Sequence, residues 1–230
     1  MPGGESDSTV ADFNTEMDRL PRGRHGLSPE FVAQNQRERL IAGLTAALYE
    51  VGYQKTTVSL IGRHAAVSKS DFYKQFESKD DCFIAAYDGA IARIRRQIVV
   101  ACEAAADKEW PQRVHDAIEA LLKLFSEEPA LASISLVEGL RAGRGVYDRY
   151  QAAVDSFVSI LRAGAPPLPQ GGQAPEATDE AVVGGIASLL GRRILAGEAE
   201  RLNELFPEIL EFTLGSYLGA EEARRIVSAG

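Results

Sequence analysis

Two cysteines, Cys82 and Cys102, are all that the 230 residues provide, and no CxxC pair surrounds either one. That excludes a disulfide framework and a cysteine-built zinc site, so both are expected to be free, buried thiols. Histidine is nearly as scarce: His25, His64 and His115 fall in unrelated segments. With no HExxH, no GxSxG and no phosphate-cradling glycine loop, no catalytic group, metal or cofactor is called for, and an all-α enzyme is the weakest reading. Strand-like alternation is missing from end to end, which leaves an all-α chain. Long apolar runs are missing too, so no membrane partner is expected. The first residues, MPGGESDSTVADFNTEMD, put acids where a secretory leader needs a basic start and an apolar centre, which points to the cytoplasm.

What is present is globular: 45% hydrophobic and 25% charged. The length suits a domain of about 50 residues plus one of about 150. Net charge is −8, but its distribution is uneven. Residues 1–18 hold five acids and no Lys or Arg; residues 19–79 hold ten Lys or Arg against five acids; residues 80–230 hold fifteen against twenty-three. A basic segment thus sits on an acidic body, the distribution expected of a small polyanion-binding unit carried by a larger partner domain.

Residues 57–79, TVSLIGRHAAVSKSDFYKQFESK, form the centre of that basic segment. Thr57 and Ser68 each precede a short apolar-periodic stretch and can cap it. Ala65, Ala66 and Val67 between them are small enough for two helices to cross, with Val67, Phe72 and Phe76 turned inward. The face left over carries Lys69, Ser70, Tyr73 and Lys74, residue types that reach phosphates and base edges in a major groove. The competing reading is an ordinary helical hairpin with a solvated polar face. Ahead of it, Ser28-Pro29-Glu30 starts a supporting helix that carries Leu40, Leu44, Leu48 and Val51 and ends at Gly52. Before that helix, Arg22 and Arg24 lie among Pro and Gly in an arm suited to a minor groove, or in a solvated linker.

After residue 78 the pattern changes. Ser78 with Asp80 and Asp81 opens a long helix, to about residue 104, with Phe83, Tyr87, Ile91, Ile94 and Ile98 on one face. Further helices start at Pro111, at Pro129 and before Val146, with Gly139, Gly143 and Gly145 loosening the chain between the last two. Residues 163–178 are rich in Pro and Gly and read as a loop. Tyr87, Trp110, Phe125, Tyr147, Tyr150 and Phe157 are the aromatic candidates to line a small-molecule pocket, although ordinary core is the alternative. Glu138, Arg141 and Arg144 are candidates to hold a polar ligand group. In the last third, residues 179–195 and the helix from Pro207 are apolar on two faces, and Gly184, Gly185 and Gly191 interrupt the first of them. Val182, Gly185, Ile186, Leu189, Ile209, Phe212, Leu214 and Tyr217 are the candidate residues of a four-helix homodimer interface; the alternative is a monomeric core.

Thr57, Val58, Ile61, Ala65, Val67, Ser68, Phe72, Tyr73, Phe76, Ser78 and Lys79, followed by a long helix, resemble the tetracycline-repressor (TetR) family of bacterial transcription regulators. The resemblance covers about 23 residues. It implies an all-α fold with a flexible tail and arm over 1–27, a three-helix DNA-binding domain with a helix-turn-helix over 28–78, and a helical ligand-binding and dimerisation domain over 79–230. It also implies that Ser68 opens the recognition helix and that Lys79 touches the DNA backbone. The expected DNA-contacting set is then Arg22, Arg24, Thr57, Ser68, Lys69, Ser70, Tyr73, Lys74 and Lys79. Expected partners are a double-stranded DNA operator, an unidentified small-molecule effector and a second copy of the chain, in a repressor released by that effector. A helical protein-interaction module that has lost DNA binding is the runner-up. Three positions depart from the family pattern: Ala66 stands where glycine is usual, Asp71 where a small hydroxyl residue is common, and Gln75 where histidine is frequent.

Overall fold

The computed structural model describes residues 28–142 and 144–229, and every regular element among them is helical. The tail, the arm with Arg22 and Arg24, Gly143 and the side chain of Arg144 lie outside the described residues. Helix α1 (Pro29–Lys55) starts where the Ser28 hydroxyl accepts from the Phe31 amide at 3.2 Å. It is broken at Gly52, whose φ of 73° and ψ of 167° belong to a region that only glycine occupies without strain. The expected stop at Gly52 is therefore a kink, followed by one last turn.

Helices α2 (Val58–Ala65) and α3 (Lys69–Gln75) follow, each capped as the sequence suggests: Thr57 accepts from Leu60 N and Ser68 from Asp71 N. Ala66 joins them in the left-handed region, φ 49° and ψ 44°, as the only non-glycine residue with positive φ among the described residues. Gly43 lets α1 and α2 touch, since a Cβ there would lie 2.8 Å from Ala65 N and from Ile61 O. Arg39 Nη2 donates to the carbonyls of Ala65 and Ala66, and Arg37 donates to Gln75 O with its guanidinium 4.2 Å from the Phe76 ring centre. Those contacts, with Leu40, Leu44, Ile61, Phe72 and Phe76 buried, set the attitude of α3 on α1.

Helix α4 (Lys79–Ala104) is 26 residues long, about 39 Å at 1.5 Å per residue. Its first turns bury Cys82 and Phe83 among the preceding helices, and its far half turns Ile94 and Ile98 into the body. The body continues with α5 (Trp110–Glu127), α6 (Pro129–Ser133), a π-helical turn (Ile134–Glu138), α7 (Gly139–Arg141) and α8 (Arg144–Arg162). It closes with α9 (Glu176–Leu195), a 3₁₀ segment (Ala199–Leu205), α10 (Phe206–Leu218) and α11 (Ala220–Ala229). Two glycines read as loosening the chain are helical: Gly145 sits in α8, and Gly139 continues the helix past the π turn at a point where a Cβ would strike the Tyr87 ring at 2.6 Å. The loop expected over 163–178 ends sooner, at the start of α9. Buried Asp179 ties the far end together by accepting from Tyr217 Oη and facing Arg162 Nη1 at 3.1 Å.

Candidate nucleic-acid interface and internal cavity

The outer face of α3 presents Lys69, Ser70, Tyr73 and Lys74 to solvent, with Tyr73 52% exposed. Phe72, beside Tyr73 in sequence, is fully buried, and the two rings meet edge to face at 5.3 Å. Burial of one aromatic thus fixes the outward direction of the other. Lys74 Nζ donates to Asp71 Oδ1 at 2.6 Å and Ser68 Oγ donates to Asp71 Oδ2 at 2.7 Å. Lys74 first, then Ser68, hold the Asp71 carboxyl below its ordinary value. Asp71 is therefore bound to its own helix and partly neutralises Lys74, while Lys69 and the neighbouring Arg63 and Lys55 are exposed. Thr57 and Ser68 are exposed caps at the two helix starts.

Lys79 does not stand free. Its ammonium lies 4.0 Å from the Tyr53 ring centre and donates to Tyr53 O at 2.9 Å. Tyr53 Oη donates to Asp80, and burial, then Asp80, push that phenol up, so it remains a donor. The Tyr53 amide, freed by the kink at Gly52, donates to Glu138 Oε2 at 2.7 Å. Glu138 is 3% exposed, at the end of the π turn, and its other oxygen accepts from Arg141 at 3.0 Å. Tyr53 is thus a junction where α1, the first turn of α4 and the π turn of the body meet. The sequence showed Gly52 and Glu138 separately but had no signal pairing them.

A cavity of about 290 Å³ lies between α4, α5, the π turn, α8 and α9. Ile91, Ile94 and Ile98 of α4 form one wall, Ser135 and Leu136 of the π turn another. Of the six aromatic candidates, Trp110, Phe125 and Phe157 line it. Tyr87, Tyr147 and Tyr150 do not: Tyr87 is spent on Phe83 and Gly139, Tyr147 is 54% exposed at the start of α8, and Tyr150 packs half-buried against the core. Glu138 and Arg141 lie at the Tyr53 junction instead of on the cavity wall. Arg113, which sequence reasoning passed over, is the one charged side chain that lines the cavity. Cys102 lines it too, its thiol pushed up by burial; burial pushes Cys82, on the other side of α4, up to about 12.

Residues 40–86 match the family model for bacterial regulatory proteins of the tetR family. That match spans α2, α3 and the helical turns on either side of them. Its overall fold is shared with the fatty acid degradation regulator FadR from Bacillus halodurans, at a TM-score of 0.68 and 14% identity over 83% of this chain and 97% of that one. It is also shared with FadR from Bacillus subtilis in complex with stearoyl-CoA, at 0.65 and 15% over 78% and 98%. A third match is SmeT, the repressor of the Stenotrophomonas maltophilia multidrug efflux pump SmeDEF, at 0.61 and 18% over 80% and 91%. Among curated proteins none matches the sequence significantly. The matched family model and the proteins that share the fold are those of transcription regulators. No helix among the described residues is long and apolar enough to cross a membrane.

The eight residues considered for a dimer interface divide by burial. Val182, Ile209, Leu214 and Tyr217 are at most 2% exposed within the single chain, and Ile186 lines the cavity. Gly185 and Phe212 remain on the outer side of α9 and α10, while Leu189 is half-buried against the core. Phe212 is 50% exposed, its ring 3.6 Å from where a Gly185 Cβ would stand. The two apolar faces of these helices therefore have different uses: one fills the core, and the other is a narrower strip open to solvent.

Proposed function

We propose that the chain is a homodimeric, ligand-responsive DNA-binding regulator, a repressor released from a palindromic operator when a small molecule fills the cavity. The observation that carries this reading is that one helix, α4, supplies both Lys79 and Asp80 at the Tyr53 junction and the Ile91, Ile94 and Ile98 wall of the cavity. A ligand that displaces that wall moves the helix that holds the DNA-reading unit. A second route runs through the π turn, whose Ser135 and Leu136 line the cavity and whose Glu138 grips Tyr53 N. A hundredfold loss of DNA affinity needs about 2.7 kcal/mol of differential ligand binding between the two arrangements, the contribution of three or four buried methylenes at about 0.8 kcal/mol each.

In this reading residues 28–78 read DNA, 79–230 bind ligand and dimerise, and Arg22 and Arg24 reach the adjacent minor groove. Lys69, Ser70, Tyr73 and Lys74 face base edges, while Thr57, Ser68 and Lys79 hold phosphates. Gly185, Leu189 and Phe212 meet their copies across a two-fold axis. The test is fluorescence anisotropy with DNA from upstream of the chain's own gene across a salt series. Specific binding that weakens with salt is expected. Replacing Tyr73 and Lys74 by Ala removes sequence preference, whereas Lys79→Ala weakens all sequences alike. A folded dimer that shifts no DNA at low salt would replace this reading with a protein-interaction module, which the Asp71–Lys74 pairing favours. Phe212→Glu should yield monomers by light scattering; an unchanged mass rules out this interface.

A further inference from the structure

Apart from the Cys102 thiol, every polar donor on the cavity wall but one is committed. Ser135 Oγ donates to Leu131 O at 2.8 Å, Thr213 Oγ1 to Ile209 O at 2.7 Å and Trp110 Nε1 to Leu161 O at 2.9 Å. These hydroxyls and the indole turn to backbone oxygens, leaving carbon to face the space. Arg113 is the exception. Its Nε is buried with no hydrogen-bond partner, and its one hydrogen bond is Nη2 to Ala163 O at 3.2 Å. No carboxylate among the described residues forms an ion pair with it: Asp116, one turn further along α5, is taken by Lys108 at 2.9 Å and His115 at 3.0 Å. A half-buried guanidinium without a counter-charge is a costly arrangement in an otherwise apolar wall.

The backbone makes room for it. Gly164, at φ 76°, follows the end of α8, and a Cβ there would lie 2.2 Å from Arg113 Nη2. The positive φ favours glycine there, and the missing Cβ leaves room for the guanidinium at the edge of the cavity, beside Ala163. An open cleft begins at that edge: Ile160 and Ala163 are shared between it and the cavity, and Arg95, Ala152, Asp155, Ser156 and Ser159 form the rest of its sides. The combined shape is an apolar chamber with a cation at its rim and a polar exit beyond.

We propose that the ligand of this cavity is an anionic amphiphile, an apolar tail in the chamber with a carboxylate or phosphate head on Arg113 at the rim. The inference rests on the effector-cavity reading above and adds to it the chemical class of the effector. Planar, fork-shaped guanidinium donors suit both heads, and the unpartnered Nε is one of the donors such a head needs. Arg95 gives the exit a second cation for a head with more than one charge, while Asp155 opposes it.

Isothermal calorimetry on the full chain with decanoate, decyl phosphate, methyl decanoate and decanol tests this. Hydrogen bonds to a charged partner predict that the two acids bind about ten- to a hundredfold more tightly than the ester and the alcohol. Tighter decanoate assigns a carboxylate head and tighter decyl phosphate a phosphate head. Arg113→Gln should abolish the preference of acids over the ester and the alcohol. Equal affinity of wild type for acids and neutral ligands overturns the proposal and leaves the cavity reading standing. An acid preference that survives in Arg113→Gln also overturns it. If none of the four binds, the effector-cavity reading falls with it. The wild-type series needs no variant, so the outcome does not depend on whether Arg113→Gln folds.

Discussion

Truncating Glu138 to Ala removes the only acceptor of the Tyr53 amide, which the kink at Gly52 has already taken out of the α1 ladder. Tyr53 is 8% exposed, so its amide has little access to water. A buried donor left unsatisfied costs about 1–3 kcal/mol. Arg141 adds little to the loss, because its half-exposed guanidinium is rehydrated. At about 2–4 °C per kcal/mol for a chain of this size, Glu138→Ala should melt about 2–12 °C below wild type. Glu138→Gln keeps the shape and an acceptor oxygen and loses only the charge assistance, about 1 kcal/mol. The functional consequence is separable: with the π turn uncoupled from Tyr53, the cavity ligand should lower DNA affinity by a smaller factor than in wild type. Thermal melts establish the first effect and anisotropy titrations with and without ligand the second. A Glu138→Ala protein with wild-type melting temperature and undiminished ligand response would refute the junction argument.

Other substitutions probe single contacts. Ala66→Gly relieves left-handed strain of about 1–2 kcal/mol and adds about 0.5–1 kcal/mol of unfolded-chain entropy, so urea unfolding should show a net gain of up to about 1 kcal/mol; a loss would contradict the assigned turn. Gly43→Ala should destabilise by about 1–3 kcal/mol in the same assay, because the added methyl meets backbone atoms of α2 that cannot give way. Asp71→Asn frees Lys74 and removes a negative charge from the DNA-reading face, so anisotropy should show tighter, more salt-dependent binding to all sequences. Cys102 should react with a small apolar maleimide and be protected by a cavity ligand, whereas Cys82 should react only on unfolding; mass spectrometry of the native protein distinguishes them.

The local features read from sequence are those whose physics is local. Ser28, Thr57, Ser68 and Ser78 cap helices because a hydroxyl three residues before an amide can satisfy it wherever the chain goes next. The length of α4 followed from its unbroken apolar spacing. The glycines misled where their reason was a neighbour: position 139 carries no side chain where Tyr87 lies against it, a contact between residues far apart in sequence.

The sequence by itself determined an all-α chain, the two capped helices α2 and α3 and the outward set Lys69, Ser70 and Tyr73, since helical period and capping are short-range. Only the tertiary structure decided which aromatics meet around a cavity, which face of α9 and α10 stays open, and that Glu138 reaches back across the fold to Tyr53. It also placed Arg113 unpaired at the cavity rim. Whether a polar group is satisfied depends on partners brought from elsewhere in the chain, and no periodicity in the sequence records those meetings.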